Sequence, residues 1–291
     1  MKEFFGIGGA GAPNGAFSWQ HITLVSTCLV LMIGLAIGFG IWLRKKEFKI
    51  KNRVIIASAI SILSFEAVKI FVNILDEALY GDNVLKTILW NLPLFLCSIM
   101  LVAIPVAAFC KGKLKEGALD FVMMFGILGA LFGPIGAIQD YDSYPAFCFH
   151  NIVSAITHSI SGFTSLYIII SGISSVRRKN MWISYTILGV FGVMAYAVNV
   201  ICGLNYGGDI FENSPNYMFL MRDDGTPYTL VTAMTGGNKV LYPIVVMLLF
   251  VLYMSLFYGI FFLIRYLYAK KHPRGADKTE EAILTEEQSD K

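Results

Sequence analysis

Three side chains in a mostly apolar chain of 291 residues have the types needed for nucleophilic catalysis: the thiol of Cys97, the imidazole of His158 and the carboxylate of Glu66. A thiol becomes a nucleophile when a neighbouring imidazole takes its proton, and a carboxylate can orient that imidazole. If each residue sits in a membrane helix rising ~1.5 Å per residue, Glu66 and His158 lie ~15 and ~16 Å below one face of the bilayer, and Cys97 ~13 Å. Ionisable groups at such depths are costly and are functional candidates by default. Lys69 and Asn73 follow Glu66 at i+3 and i+7, so the three share a helix face. His150, Ser154, His158 and Ser161 form one polar stripe. Asn91 enters beside Cys97, His21 opens the first apolar run, and Asn199 sits near the end of the sixth. The competing reading is that these groups pair between helices only to satisfy one another, which is the commoner role of a single Asn or Ser. A lone buried cysteine is likewise usually a small inert hydrophobe.

The elements that must position these groups follow from composition. Apolar residues make up 56% of the chain and charged residues 15%, against about 45–50% and about 25% in soluble domains. With a mean hydropathy of +0.65, this excludes a water-soluble enzyme, a disordered chain and a disulfide scaffold. The net charge of +3 implies no nucleic-acid partner. Seven stretches reach the roughly 20 apolar residues of a membrane span: 21–43, 54–75, 86–110, 118–138, 147–175, 181–202 and 240–268. Backbone groups have no water to bond in hydrocarbon and the alternation of barrel strands is absent, so the expected fold is an all-α polytopic bundle of seven transmembrane helices.

Every second connection is basic. Arg44, Lys45, Lys46, Lys49, Lys51 and Arg53 follow the first span, Lys111, Lys113 and Lys115 the third, Arg177, Arg178 and Lys179 the fifth, and Lys270, Lys271 and Arg274 the seventh. The others carry Asp76, Glu77, Asp82, Asp140 and Asp142. The positive-inside bias then places the N-terminus outside and the C-terminus in the cytoplasm. All four tryptophans fall at span ends, as an interfacial belt requires. Residues 1–20 read as a flexible outer segment, 21–268 as the membrane domain and 269–291 as a disordered cytoplasmic tail. The expected location is the cell membrane.

Several motifs carry no weight. Gly6 to Gly11 matches GxGxxG but follows no strand. Gly34/Gly38 and Gly129/Gly133 are spaced for close helix approach. Cys148-Phe149-His150 lacks further ligands nearby, and the last span holds no lysine for a retinal. No metal and no cofactor is expected. The long 203–239 connection reads as a strap that seals the bundle, or as a lid over a cavity mouth.

The segment Asn91-Leu92-Pro93-Leu94-Phe95-Leu96-Cys97-Ser98 resembles the LPLxLC motif of the YwaF-like integral membrane proteins. Trp19-Gln20-His21, Ser64-Phe65-Glu66, Gly126 to Leu131, Thr157-His158, Asn199, Asn216 to Leu220 and Tyr242-Pro243 resemble further family features in the same order. The likeness spans most of residues 19–268. A vertebrate branch of similar layout is regarded as a lipid acyltransferase using a membrane cysteine and histidine. The resemblance therefore implies Cys97 as nucleophile and His158 as base, with His150 as the other candidate base.

Two functions are expected from these readings. The first is a cysteine-dependent acyltransferase or hydrolase acting on membrane lipid from the outer leaflet. Cys97, His158 and Glu66 would be catalytic, and His21, Asn91, His150, Asn199, Asn216 and Tyr217 would contact substrate. The second is a transporter or small-molecule-binding bundle in which Glu66 and His158 form a polar relay.

Overall fold

The computed structural model describes residues 2–9, 11–81, 83–136, 138–174, 176–206, 214–223 and 228–271. The tail beyond 271, Asp82 and parts of the 203–239 connection lie outside the described residues. Those described are helical or irregular, with no strand among them. Six helices are long and apolar enough to cross a bilayer, which makes this a multi-pass membrane protein.

A short α1 (Lys2–Phe5) precedes the first long helix, α2 (Trp19–Leu43). Ser18 caps α2 by accepting from the His21 amide at 3.3 Å. α3 (Phe48–Tyr80) carries Glu66 and Lys69. The next expected span, 86–110, is not one helix. It is divided into α4 (Val84–Trp90) and α5 (Met100–Phe109), with Asn91–Ile99 between them largely non-helical. Proline explains the break: Pro93 has no N–H to donate and forces Leu92 out of the helical region. Pro105, by contrast, sits inside α5 without ending it.

α6 (Gly112–Gly136) and the short α7 (Ile138–Ser143) lead to α8 (Phe149–Ser171), which ends at Gly172 in the left-handed conformation with φ +63°. α9 (Arg178–Tyr206), a 3-10 turn at Tyr217–Phe219, α10 (Thr229–Thr235) and α11 (Leu241–Lys271) complete the chain. The chain divides into two units, Met1–Met247 and Leu248–Lys291. Residues 248–271 of the second unit continue α11 as an apolar helix, with the rings of Tyr258 and Phe262 stacked at 5.9 Å.

Within the first unit α8 is central, packed against α2, α3 and α6. Its hydroxyls turn inward: Ser161 and Thr164 donate to the carbonyls of Thr157 and Ile160 one turn earlier. Ser165 instead crosses to α6, donating to the Met123 carbonyl at 2.6 Å. The two helices approach so closely that a Cβ on Gly126 would stand 2.7 Å from the Ser161 carbonyl oxygen. Small residues at a helix crossing allow this approach in lipid, where apolar burial does not drive association.

Residues 2–18 lie along one end of this unit. The Gly8 amide donates to Asp76 at 2.8 Å, the Ala16 amide to Asp142 at 2.9 Å, and Asn14 accepts from the Ala146 amide at 2.8 Å. The ring of Phe5 packs on Phe149 at 5.1 Å. This end carries Asp76 and Asp142.

Candidate functional site

The broken helix opens the site. Where α4 stops, Asn91 takes φ −107°, ψ 13°, and its side chain donates back to the Thr87 carbonyl at 2.7 Å. The same side chain accepts from Asn73 of α3 at 3.1 Å. The chain re-enters a helix only at Met100, whose amide donates to the Cys97 carbonyl at 3.3 Å. Cys97 therefore stands just ahead of the first turn of α5, with the Ser98 hydroxyl 4.0 Å from its sulfur.

Irregular backbone at membrane depth is tolerated where it lines a cavity. Here it does. A cavity of about 290 Å³ is bounded by Asn91, Cys97 and Ser98 on the link, by Glu66 and Lys69 on α3, and by His150, Ser154 and His158 on α8. Asp140 of α7 closes one side, and Trp90, Phe95, Ile62 and Leu101 supply apolar walls. The sequence-derived depths of Glu66, Cys97 and His158 thus correspond to one shared space.

α6 forms the floor under the two reactive groups. A Cβ on Gly129 would lie 3.3 Å from Cys97 Cβ. One turn on, a Cβ on Gly133 would overlap the His158 imidazole. Positions i and i+4 of a helix are neighbours roughly 5–6 Å apart on one face. The thiol residue and the imidazole therefore sit over adjacent turns of the same glycine-lined stripe.

Glu66 forms an ion pair with Lys69 at 2.7 Å, both side chains largely buried. Its carboxylate thus faces a lysine of its own helix. His150 stacks on Tyr144 at 5.3 Å and lines both this cavity and a smaller one of about 40 Å³ beside Phe5 and Asp76. Asn91 and His150 are thus on the cavity wall.

The remaining sequence-derived positions lie elsewhere. His21 accepts from the Phe17 amide through Nδ1 at 2.9 Å and stacks on Tyr141 at 3.8 Å. Asn199 holds the backbone of Tyr217 with two bonds, donating to its carbonyl at 3.0 Å and accepting from its amide at 2.8 Å. Asn216 accepts from the amides of Met221 and Arg222 and donates to the Arg222 carbonyl. Tyr217 meets the chain where α4 gives way to the link: its hydroxyl donates to the Leu89 carbonyl at 2.6 Å and accepts from the Leu92 amide at 3.0 Å. Burial pushes this phenol well above its ordinary pKa, so it stays neutral in that double role.

Ser98 and Asp140 line the cavity without having been singled out in the sequence as site residues. Ser98 adjoins Cys97 and could have been named by adjacency; Asp140 sits in an acidic connection that reads as solvated. Among the described residues no cluster of His, Cys, Asp and Glu fit to hold a metal is found.

The decisive comparison is with protein families: the model of the TMEM164 family matches residues 16–260. The chain belongs to the TMEM164 family. The matched region contains the whole broken helix, the cavity and the Asn199–Tyr217 clamp. The YwaF-like name expected from the sequence is not the one this match carries. No curated protein and no solved structure matches the chain.

Proposed function

We propose that this member of the TMEM164 family is an intramembrane acyl-transfer enzyme with Cys97 as nucleophile and His158 as base. The observation that supports this reading is that Cys97 and His158 lie over adjacent turns of α6 and line one polar cavity inside an apolar protein. The resemblance to the YwaF-like proteins, and through them to a lipid acyltransferase branch, points the same way.

The chemistry runs in two halves. His158 takes the Cys97 proton as the sulfur attacks the carbonyl carbon of a lipid ester. The tetrahedral intermediate collapses, the ester C–O bond breaks, and His158 returns the proton to the departing alkoxide. A thioester remains on Cys97. The hydroxyl of a lysolipid, or water, then gives its proton to His158 and attacks the thioester carbonyl, and the C–S bond breaks. The departing thiolate recovers the proton from His158. The Glu66–Lys69 pair sets the polarity of the opposite wall. The basic loops assign the acidic end, and with it substrate entry, to the outer leaflet.

The test is turnover of a glycerophospholipid bearing a labelled acyl chain, with a lysophospholipid acceptor, in nanodiscs. Cys97→Ala abolishes turnover and Cys97→Ser lowers it by at least a hundredfold, while the intact protein yields a hydroxylamine-sensitive acyl-enzyme. Full turnover in Cys97→Ala sinks the mechanism. A broken helix beside a buried ion pair is also a feature of transporters. Substrate flux in proteoliposomes that is lost in Glu66→Gln and kept in Cys97→Ala is the outcome that selects that reading instead.

A further inference from the structure

We infer that Tyr217 is a positioning residue for Cys97: its hydroxyl ties the last turn of α4 to the first residues of the link, and this fixes the direction in which the link carries the thiol into the cavity. The inference rests on the reading of Cys97 as the nucleophile.

A helix that stops ahead of Pro93 leaves the Leu89 carbonyl, whose i+4 donor would be that proline, and the Leu92 amide without helical partners. In lipid each would be costly to leave unmet. One phenol serves both, donating to the Leu89 carbonyl and accepting from the Leu92 amide. These two bonds, three residues apart where α4 gives way to the link, hold the turn at Asn91–Leu92. The Tyr217 ring also meets Phe95 edge-on at 4.9 Å. Phe95 lies two residues before Cys97 and lines the cavity, so the clamp extends along the link toward the sulfur.

The segment that delivers Tyr217 shows that this placement is held at a cost. Asn216, Met218 and Phe219 all have φ of 55°, a region that side-chain-bearing residues seldom occupy. Strained backbone of this kind persists only where the surroundings over-determine it, and it clusters at functional sites. Here the surroundings are explicit. Asn199, fully buried on α9, grips both backbone polar groups of Tyr217, and the Asn216 side chain ties off Met221 and Arg222. Tyr217 itself is fully buried and lines no part of the cavity. Its effect on chemistry therefore passes through the link.

The test uses the full chain in nanodiscs, with Cys28, Cys110, Cys148 and Cys202 changed to Ala so that Cys97 is the only thiol. Two quantities are read: the rate of Cys97 alkylation by N-ethylmaleimide, and kcat and KM for the labelled glycerophospholipid. Tyr217→Phe keeps the ring and its contact with Phe95 but removes both hydrogen bonds. The expected result is alkylation slowed at least fivefold, kcat lowered at least tenfold and KM within twofold of the parent. Asn199→Asp keeps the acceptor for the Tyr217 amide and loses the donor to its carbonyl, so it shows the same changes at smaller size. Alkylation and kcat within twofold of the parent in a folded Tyr217→Phe protein overturn the inference. If that variant cannot be recovered folded, Asn199→Asp decides by the same criterion. Turnover that ignores Cys97→Ala while alkylation still falls in Tyr217→Phe sinks the acyl-transfer reading and leaves the positioning of Cys97 standing.

Discussion

At Gly133 the missing side chain makes room for an imidazole. Gly133→Ala places a methyl where the His158 ring lies, so the ring must rotate away or the helices must part. Overpacking of this kind costs roughly 1–3 kcal/mol, and the displaced ring loses its place over Gly133 in the cavity wall. Turnover in Gly133→Ala is expected to fall at least a hundredfold. Gly129→Ala, whose new methyl meets Cys97 Cβ at 3.3 Å, asks for a shift of only a few tenths of an ångström. Its turnover should fall less, by about tenfold, and a larger loss there than at Gly133 would contradict the stacking described for α6. Glu66, Cys97 and His158, which line one cavity, were legible as candidates in the chain because an ionisable or reactive group stands out against aliphatic neighbours. The partner of Glu66 was not: Lys69 shares its face by spacing, but only the structure shows the two side chains joined at 2.7 Å. The roles of Asn199 and Asn216 were also hidden, since an amide that grips backbone and one that contacts substrate look alike in sequence.

Among the elements, the stretch from α4 through the link to α5 is tied near both ends by side chains from elsewhere. Tyr217 acts where α4 stops. At its other end the Lys115 ammonium donates to the Ala108 carbonyl at 3.2 Å and to Asn52 at 2.8 Å, and lies over the Phe48 ring. A cation at a helix C-terminus satisfies a last carbonyl and suits the helix dipole. Lys115→Met keeps the aliphatic bulk and loses both bonds. It is expected to destabilise the protein by about 1–3 kcal/mol, read as a lower melting temperature in detergent. Ser165→Ala tests the α6–α8 crossing and should cost about 0.6 kcal/mol; a loss several times larger would mean that this single bond, and not the glycine packing, holds the pair together. Hydropathy located the long helices well because lipid exposure demands an unbroken apolar run. It failed over 86–110 for the same reason: Leu92 to Leu96 is as apolar as any helix, and only Pro93 hints that the backbone leaves its ladder there.

For the whole molecule, the alternation of basic and acidic connections along the sequence predicts an orientation that labelling can check. A cysteine placed at Gly8, in a background without native cysteines, is expected to react with an impermeant maleimide in intact cells. One placed at Lys113 should react only after permeabilisation. The reverse pattern would put the cavity's acidic end in the cytoplasm and overturn entry from the outer leaflet. What no pattern along the chain announces is how far apart in sequence the parts of the site lie. Leu89 and Leu92 are 128 and 125 residues from Tyr217.

That separation has a consequence for biogenesis. A ribosome adding about 5–20 residues per second has already released the interrupted segment for many seconds before the tyrosine emerges. Until then two backbone groups at the gap must borrow water or a chaperone-like contact in the membrane. The seat of Cys97 is therefore among the last features of the nascent chain to mature, and a product truncated before residue 217 would carry Glu66, Cys97 and His158 yet lack the bolt that holds the start of the link.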